Sequence, residues 1–247
     1  MKTIKITIVG NSVAMRIRPP KEIPDNLNYG QILEKKLSET FPSTIVHVEN
    51  LSLHRALVQD VLDSIDTYLQ SYPNYFIINL GIVDACCREI PLWYSNLINK
   101  NKHTLFSRSF LCPLYYNFIK KNRKLFVKLR GFRAWENSRG FKTKYKKLLD
   151  SIIKETNSKI ITLSINPTTN RVELELPGST KNITAYNNII KELTIARNQK
   201  FLAFDNFITE KYCPDGIHFS LEGHELVAVM LYKYLSQELK KNENSIL

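Results

Sequence analysis

Two short stretches near opposite ends of the 247-residue chain hold residue types that do acyl chemistry together: Gly10-Asn11-Ser12 and Asp215-Gly216-Ile217-His218-Phe219-Ser220. A serine hydroxyl is a poor nucleophile until an imidazole within hydrogen-bond reach takes its proton, and the imidazole works best when a carboxylate fixes its tautomer. Ser12 offers the hydroxyl, His218 the imidazole and Asp215 the carboxylate. Gly-x-Ser alone is equally what a small turn capping the next helix requires. The Asp-x-x-His pair is the sharper signal, because it places a carboxylate near one imidazole nitrogen and leaves the other free. The chemistry implied is attack on an acyl carbonyl, which serves an esterase or an acyltransferase.

Such residues meet only if the elements between them bring both ends to one edge. Apolar or alternating runs predict five short strands at about 3–9, 45–51, 75–80, 159–165 and 201–205. Segments with helical spacing fall between or after them at roughly 28–40, 56–71, 143–156, 182–198 and 220–240, the last carrying Leu221, Val227, Leu231, Tyr234 and Leu235 on one stripe. Alternation of strand and helix implies a parallel sheet covered on both faces, with its ligand crevice at the carboxyl ends of the strands. Gly10-Asn11-Ser12, Gly81-Ile82-Val83-Asp84, Asn166-Pro167-Thr168 and the Asp215–His218 segment all follow predicted strands. Ser220 is placed to cap the final helix, with Gly223 and His224 in its first turn. Lys240 to Leu247 reads as a frayed polar tail.

The length suits one domain with an insertion, and no run approaches the ~20 apolar residues of a membrane helix. The N-terminus alternates as a strand does, and no export signal is visible, so a cytoplasmic protein is expected. Cys86, Cys87, Cys112 and Cys213 form no dense framework and are read as reduced thiols. Neither Cys-x-x-Cys nor His-x-x-x-His spacing occurs; no metal site is expected, and acyl transfer through serine needs no cofactor. The formal charge of +12 is concentrated: from Lys100 to Lys147 fifteen Lys or Arg residues face one acid, Glu136, a local net of +14 that leaves −2 for the rest. This aromatic-rich, strand-free insert, about 99–140, follows the third crevice segment and is expected to lie over the crevice as a lid.

The quoted motifs resemble those of the SGNH (GDSL-type) hydrolases, over most of the chain outside the insert. The resemblance implies a flavodoxin-like three-layer sandwich with a five-stranded parallel sheet, a nucleophile at Ser12 after the first strand, and Asp215 and His218 completing the site before a C-terminal helix. It also exposes departures. Asn11 stands where the family has aspartate. The second motif's glycine is missing from Asn50-Leu51-Ser52-Leu53-His54-Arg55-Ala56, where Arg55 or Ser52 takes the register, and Val83 replaces the asparagine of Gly-x-Asn-Asp. Losing one oxyanion donor costs ~2.7–4 kcal/mol of barrier, so a substitute is required or the chemistry differs. Backbone amides of Ser12 and Arg55 are candidates, with Gly81, Arg55, His54 and Asn166 as possible side-chain or backbone contributors. Arg16, Arg18 and Arg88 are candidates for an anionic substrate group, or else solvated surface charges. Asp84 is read as a loop brace, and His47, His103 and His224 as surface or packing residues.

Three functions stay open: hydrolysis of an O-acyl ester on a carbohydrate or glycolipid through an acyl-enzyme on Ser12, acyl transfer to a sugar hydroxyl in surface-polysaccharide biosynthesis, and non-catalytic binding of a glycan or phosphate. Expected partners are a small-molecule or glycan ester, with an acidic acyl donor or an anionic membrane surface for the basic insert. Nucleic acid is disfavoured because no common recognition module is present.

Overall fold

A computed structural model of the chain describes residues 2–15, 17–18, 27–100, 110–204, 207 and 209–244. Arg16 and residues 101–109 of the insert, His103 among them, therefore lie outside the described residues. Five strands, β1 (Lys2–Gly10), β2 (Thr44–Asn50), β3 (Tyr75–Asn79), β4 (Lys159–Leu163) and β5 (Lys200–Leu202), form one all-parallel sheet in the order β2-β1-β3-β4-β5. The apolar runs explain the depth of each strand. Every residue of β3 is buried, as a strand covered on both faces requires, whereas β2 alternates between buried and exposed at the sheet edge.

After β1 the chain moves outward to β2, then returns past β1 to β3 and continues the other way. Loops leaving β1 and β3 therefore diverge, and the crevice opens where the winding reverses. This is the flavodoxin-like arrangement that the sequence implies, with helices flanking the sheet. One helical layer pairs α2 (Tyr29–Thr40) with α13 (Leu221–Asn244); the other packs α9 (Ser138–Glu155) against α3 (Val58–Asp63) and α11 (Ser179–Ile195), with the short α10 (Asn170–Glu175) and α12 (Thr209–Tyr212) preceding α11 and α13 along the chain. Asn28 caps α2 through a reciprocal box with Gln31, and Ser220 caps α13, its Oγ accepting from the Gly223 amide.

Boundaries differ from expectation where local turns intervene. The helix predicted at 56–71 is two, α3 and α4 (Ile65–Leu69), broken at Ser64, whose φ of −124° is not helical. The strand predicted at 201–205 is observed at 200–202, with residues 203 and 204 outside it and residue 205 outside the described residues. Helix α9 starts at Ser138 behind an Asn137 cap, so much of the charge at the end of the basic stretch belongs to a helix of the main body. The inserted unit itself comprises α6 (Leu92–Lys100), α7 (Cys112–Leu114), a π-helical turn (Tyr115–Ile119) and α8 (Arg123–Leu129). Ile90, Tyr94, Ile98, Leu111 and Ile119 give it a small core of its own.

Candidate active site

The short helix α1 (Ser12–Met15) begins as soon as β1 ends, and this sharp turn sets Ser12 at the sheet edge. Its geometry depends on close approach. A Cβ on Gly10 would lie 2.8 Å from Ser52 Oγ and 2.9 Å from the Ala14 Cβ, closer than real Cβ contacts come. Asn11, fully buried, accepts the Val13 amide on Oδ1 at 3.0 Å, the same turn-holding bond that an aspartate there would make.

The turn before α13 returns the other two residues to the same edge. Ser12 Oγ lies 2.9 Å from His218 Nε2, and His218 Nδ1 lies 2.8 Å from Asp215 Oδ2. Asp215 Oδ1 also accepts the amides of Ile217 (3.1 Å) and His218 (2.8 Å), so the carboxylate organises the loop that carries the imidazole. Partial burial raises the Asp215 pKa, but hydrogen bonds from the His218 ring and those two amides outweigh it and bring the carboxyl down to about 2. A carboxylate ionised at neutral pH keeps the proton on Nδ1 and leaves Nε2 free to accept from Ser12. Arg18, read as substrate-facing or solvated, instead lies 3.2 Å from Asp215 Oδ2 through Nε, and its amide donates to Phe219 O.

The two departing motifs acquire distinct meanings. Arg55 has φ of +61°, the left-handed region that glycine occupies without penalty, whereas Ser52 does not, so of the two it is Arg55 whose backbone is glycine-like. Ser52 Oγ is buried against Gly10 and does not line the crevice. Gly81, at φ +116°, turns the chain into α5 (Ile82–Ala85), and a Cβ there would meet Ile165 at 2.8 Å; it shapes the loop and does not line the crevice either. Val83 does, as apolar wall. Asp84, 1% exposed, accepts the Val58 amide at 3.3 Å and so ties the third segment to α3, a brace as expected. Asn166 corrects the sequence reading. It is 1% exposed and gives its amide to Ile217 O (2.9 Å) and Pro167 O (3.2 Å), which holds the His218 loop from behind and leaves no donor for the crevice.

The crevice in front of Ser12 and His218 has a volume of about 520 Å³. The insert supplies much of its wall, including Asn99, Tyr116, Lys120 and Trp135. Trp135 Nε1 donates to Ile90 O at 2.9 Å, and Arg88 and Arg55 lie 4.3 and 5.2 Å from the indole centroid. Arg88 also donates to Val83 O (3.2 Å), and Arg55 to Ser95 Oγ (2.9 Å). Sequence reading missed Trp135 as their common partner, along with Tyr115, Glu89 and Arg123, which are bonded in series. A lone acid at Glu89 just ahead of a cationic insert was the available signal.

His54, beside Arg55, also lines the crevice; His224 and His47 are structural. His224 is fully buried, accepts the Tyr29 amide on Nδ1, stacks on Tyr29 and meets Phe219 edge-on; His47 is exposed on β2. All four cysteines are free, and burial pushes the Cys86 thiol pKa up although it borders the crevice. Among the described residues no cluster of metal-ligating side chains occurs, and no helix is long and apolar enough to cross a membrane.

No protein-family model matches the sequence, and no curated protein matches it. Solved structures do match the fold. A lipase/acylhydrolase from Enterococcus faecalis superposes with a TM-score of 0.62 at 14% identity, over 95% of this chain and 96% of that one. An acetylxylan esterase from Geobacillus stearothermophilus gives 0.60 at 14% identity over 93% of each chain. An enzyme described as an alpha/beta hydrolase, from the metagenome of Lake Arreo, Spain, gives 0.58 at 16% identity over 92% and 93%. At such identities the likeness establishes architecture: the chain has the five-stranded parallel α/β fold of these hydrolases along nearly its whole length.

Proposed function

We propose that the protein is a serine ester hydrolase that cleaves O-acyl esters through an acyl-enzyme on Ser12. The observation that carries this reading is the unbroken hydrogen-bond series Ser12 Oγ, His218, Asp215 at 2.9 and 2.8 Å, with Ser12 and His218 lining an open crevice. In the acylation step Ser12 Oγ attacks the ester carbonyl while His218 Nε2 takes its proton; the tetrahedral species collapses as the imidazolium gives that proton to the departing alkoxide. Water, deprotonated by the same nitrogen, then attacks the acyl-enzyme and releases the acid. Asp215 holds the tautomer and offsets the imidazolium charge.

The oxyanion is assigned to backbone donors. The Ser12 amide sits in the first turn of α1, where an N–H has no intrahelical acceptor, and the Arg55 amide sits in a left-handed turn on the opposite loop. The apolar Val83 makes the missing side-chain donor a true loss of up to ~10²–10³ in rate, consistent with a slow enzyme on simple esters. For substrate class, acyl groups on carbohydrates are assigned by analogy with the acetylxylan esterase that shares the fold. Turnover of 4-nitrophenyl acetate and of acetylated xylo-oligosaccharides by the parent, and its loss in Ser12→Ala, tests the reading. Full retention of turnover by folded Ser12→Ala refutes it.

A further inference from the structure

The crevice wall holds more positive charge than any described residue neutralises. Arg55, Arg88, Lys120 and Arg123 line it against a single carboxylate, Glu89. Glu89 is 4% exposed and already committed: its Oε1 accepts the Tyr115 hydroxyl at 2.8 Å and lies 3.3 Å from Arg123 Nε. Burial raises its pKa, and the Arg123 charge with these hydrogen bonds more than reverses that, so it stays ionised. Arg123 reaches a second acid, Glu175, at 3.0 Å. Arg55, Arg88 and Lys120 form no ion pair among the described residues.

What holds the three cations is not charge. Trp135 offers its ring to Arg55 and Arg88, and Tyr116 offers its own to Lys120 at 5.4 Å. Aromatic faces orient a cation without cancelling it. Arg88 Nε is shielded from solvent and has no acceptor among the described residues. Two guanidinium groups sharing one indole repel: desolvation first, then the Arg88 charge, lower the Arg55 pKa. Glu89 acts on both arginines only from beyond ion-pair distance, and pre-positioned forks of this kind match the planar oxygens of a carboxylate or the face of a phosphate.

We propose that Arg55, Arg88 and Lys120, set by Trp135 and Tyr116, form a subsite for an anionic group, a phosphate or carboxylate, carried by the ester that Ser12 attacks. The assignment rests on the hydrolase reading for the word ester, and on the wall alone for the anion. It gives the basic insert a role at the substrate: the insert supplies Lys120, Tyr116 and Trp135, while the main-body loops supply the two arginines.

Three acetate esters on one ring frame test it: phenyl acetate, 4-acetoxybenzoate and 4-acetoxyphenyl phosphate. Comparing each variant with the parent cancels their differing leaving groups. Arg88→Gln is expected to lower kcat/KM for the charged esters relative to phenyl acetate by about tenfold or more, and Arg88→Glu further. The larger loss, on phosphate or on carboxylate, identifies the anion. Independently, Ser12→Ala titrated calorimetrically with inorganic phosphate is expected to bind it, and Ser12→Ala/Arg88→Gln to bind it at least tenfold more weakly. Unchanged ratios in folded Arg88→Gln and Arg88→Glu, together with no phosphate binding to Ser12→Ala, overturn the subsite while leaving hydrolysis standing. Phosphate binding that depends on Arg88 in a parent inert toward all three esters does the reverse: the subsite holds and the hydrolase reading falls.

Discussion

Asp84 gives a quantitative handle on how the crevice loops are held. Its carboxyl is 1% exposed, with one oxygen accepting the Val58 amide and the other, Oδ2, without a partner among the described residues. Burial raises its pKa from the usual 3.8 to about 7, against the lowering effect of its backbone hydrogen bonds. The folded state thus holds this proton more tightly than the unfolded chain does. Its stabilising contribution is complete below about pH 3.8, declines as pH rises, and is gone above about pH 7. At ~1.36 kcal/mol per pKa unit, the contribution lost between about pH 5 and pH 8 is roughly 3 kcal/mol. Asp84→Asn has nearly the same shape, keeps an oxygen for the Val58 amide and does not titrate. Urea unfolding of both proteins at the two pH values isolates the term, because all other titrations cancel in the difference. Relative to the parent, Asp84→Asn should gain about 3 kcal/mol on going from the lower to the higher pH. A difference that stays constant within ~0.5 kcal/mol would show that Asp84 is not held in a raised-pKa environment, and would refute the brace as described.

Asp215→Asn should fold, since its side-chain oxygen can still take the two loop amides, yet its amide would donate to His218 Nδ1 and force the proton onto Nε2; kcat on 4-nitrophenyl acetate is expected to fall ~10⁴-fold, and a loss under tenfold would remove Asp215 from the mechanism. At position 55, Arg55→Gly and Arg55→Ala delete the same contacts and differ in the left-handed turn, so the glycine variant should be more stable by about 1 kcal/mol in urea unfolding; an alanine variant of equal or greater stability contradicts the assigned backbone. Asn166→Ala strips the donor from the Ile217 carbonyl and should cost ~1–3 kcal/mol of stability, with faster amide exchange in residues 213–218; a neutral effect would return Asn166 to the list of crevice donors.

Where the sequence could be read well, the signal was local. The apolar run of β3 and the alternation of β1 each follow from which faces are covered, and Asp215-x-x-His218 is close enough along the chain for the carboxylate to accept both loop amides and the ring. Ser12 was legible because a strand followed at once by Gly-Asn-Ser forces a tight turn. Long-range pairing was not legible. Nothing in the spacing says that Arg55, Arg88 and Trp135, 80 residues apart at the extremes, share one ring system, or that Arg18 reaches Asp215. Asn166 misled because a polar residue after a strand looks the same whether it faces the crevice or braces the loop behind it. The left-handed backbone at Arg55 was hidden for another reason: arginine is an unusual occupant of that region, so its type gave no hint of the turn.

The central claim, an activated serine at Ser12, is tested most directly by intact-mass measurement after exposure to a small fluorophosphonate, which needs no knowledge of the substrate. The parent should gain one phosphonyl group with loss of fluoride, Ser12→Ala none, and His218→Ala should label orders of magnitude more slowly because the proton has nowhere to go. A parent that takes no label, or a Ser12→Ala variant that labels like the parent, would contradict the account.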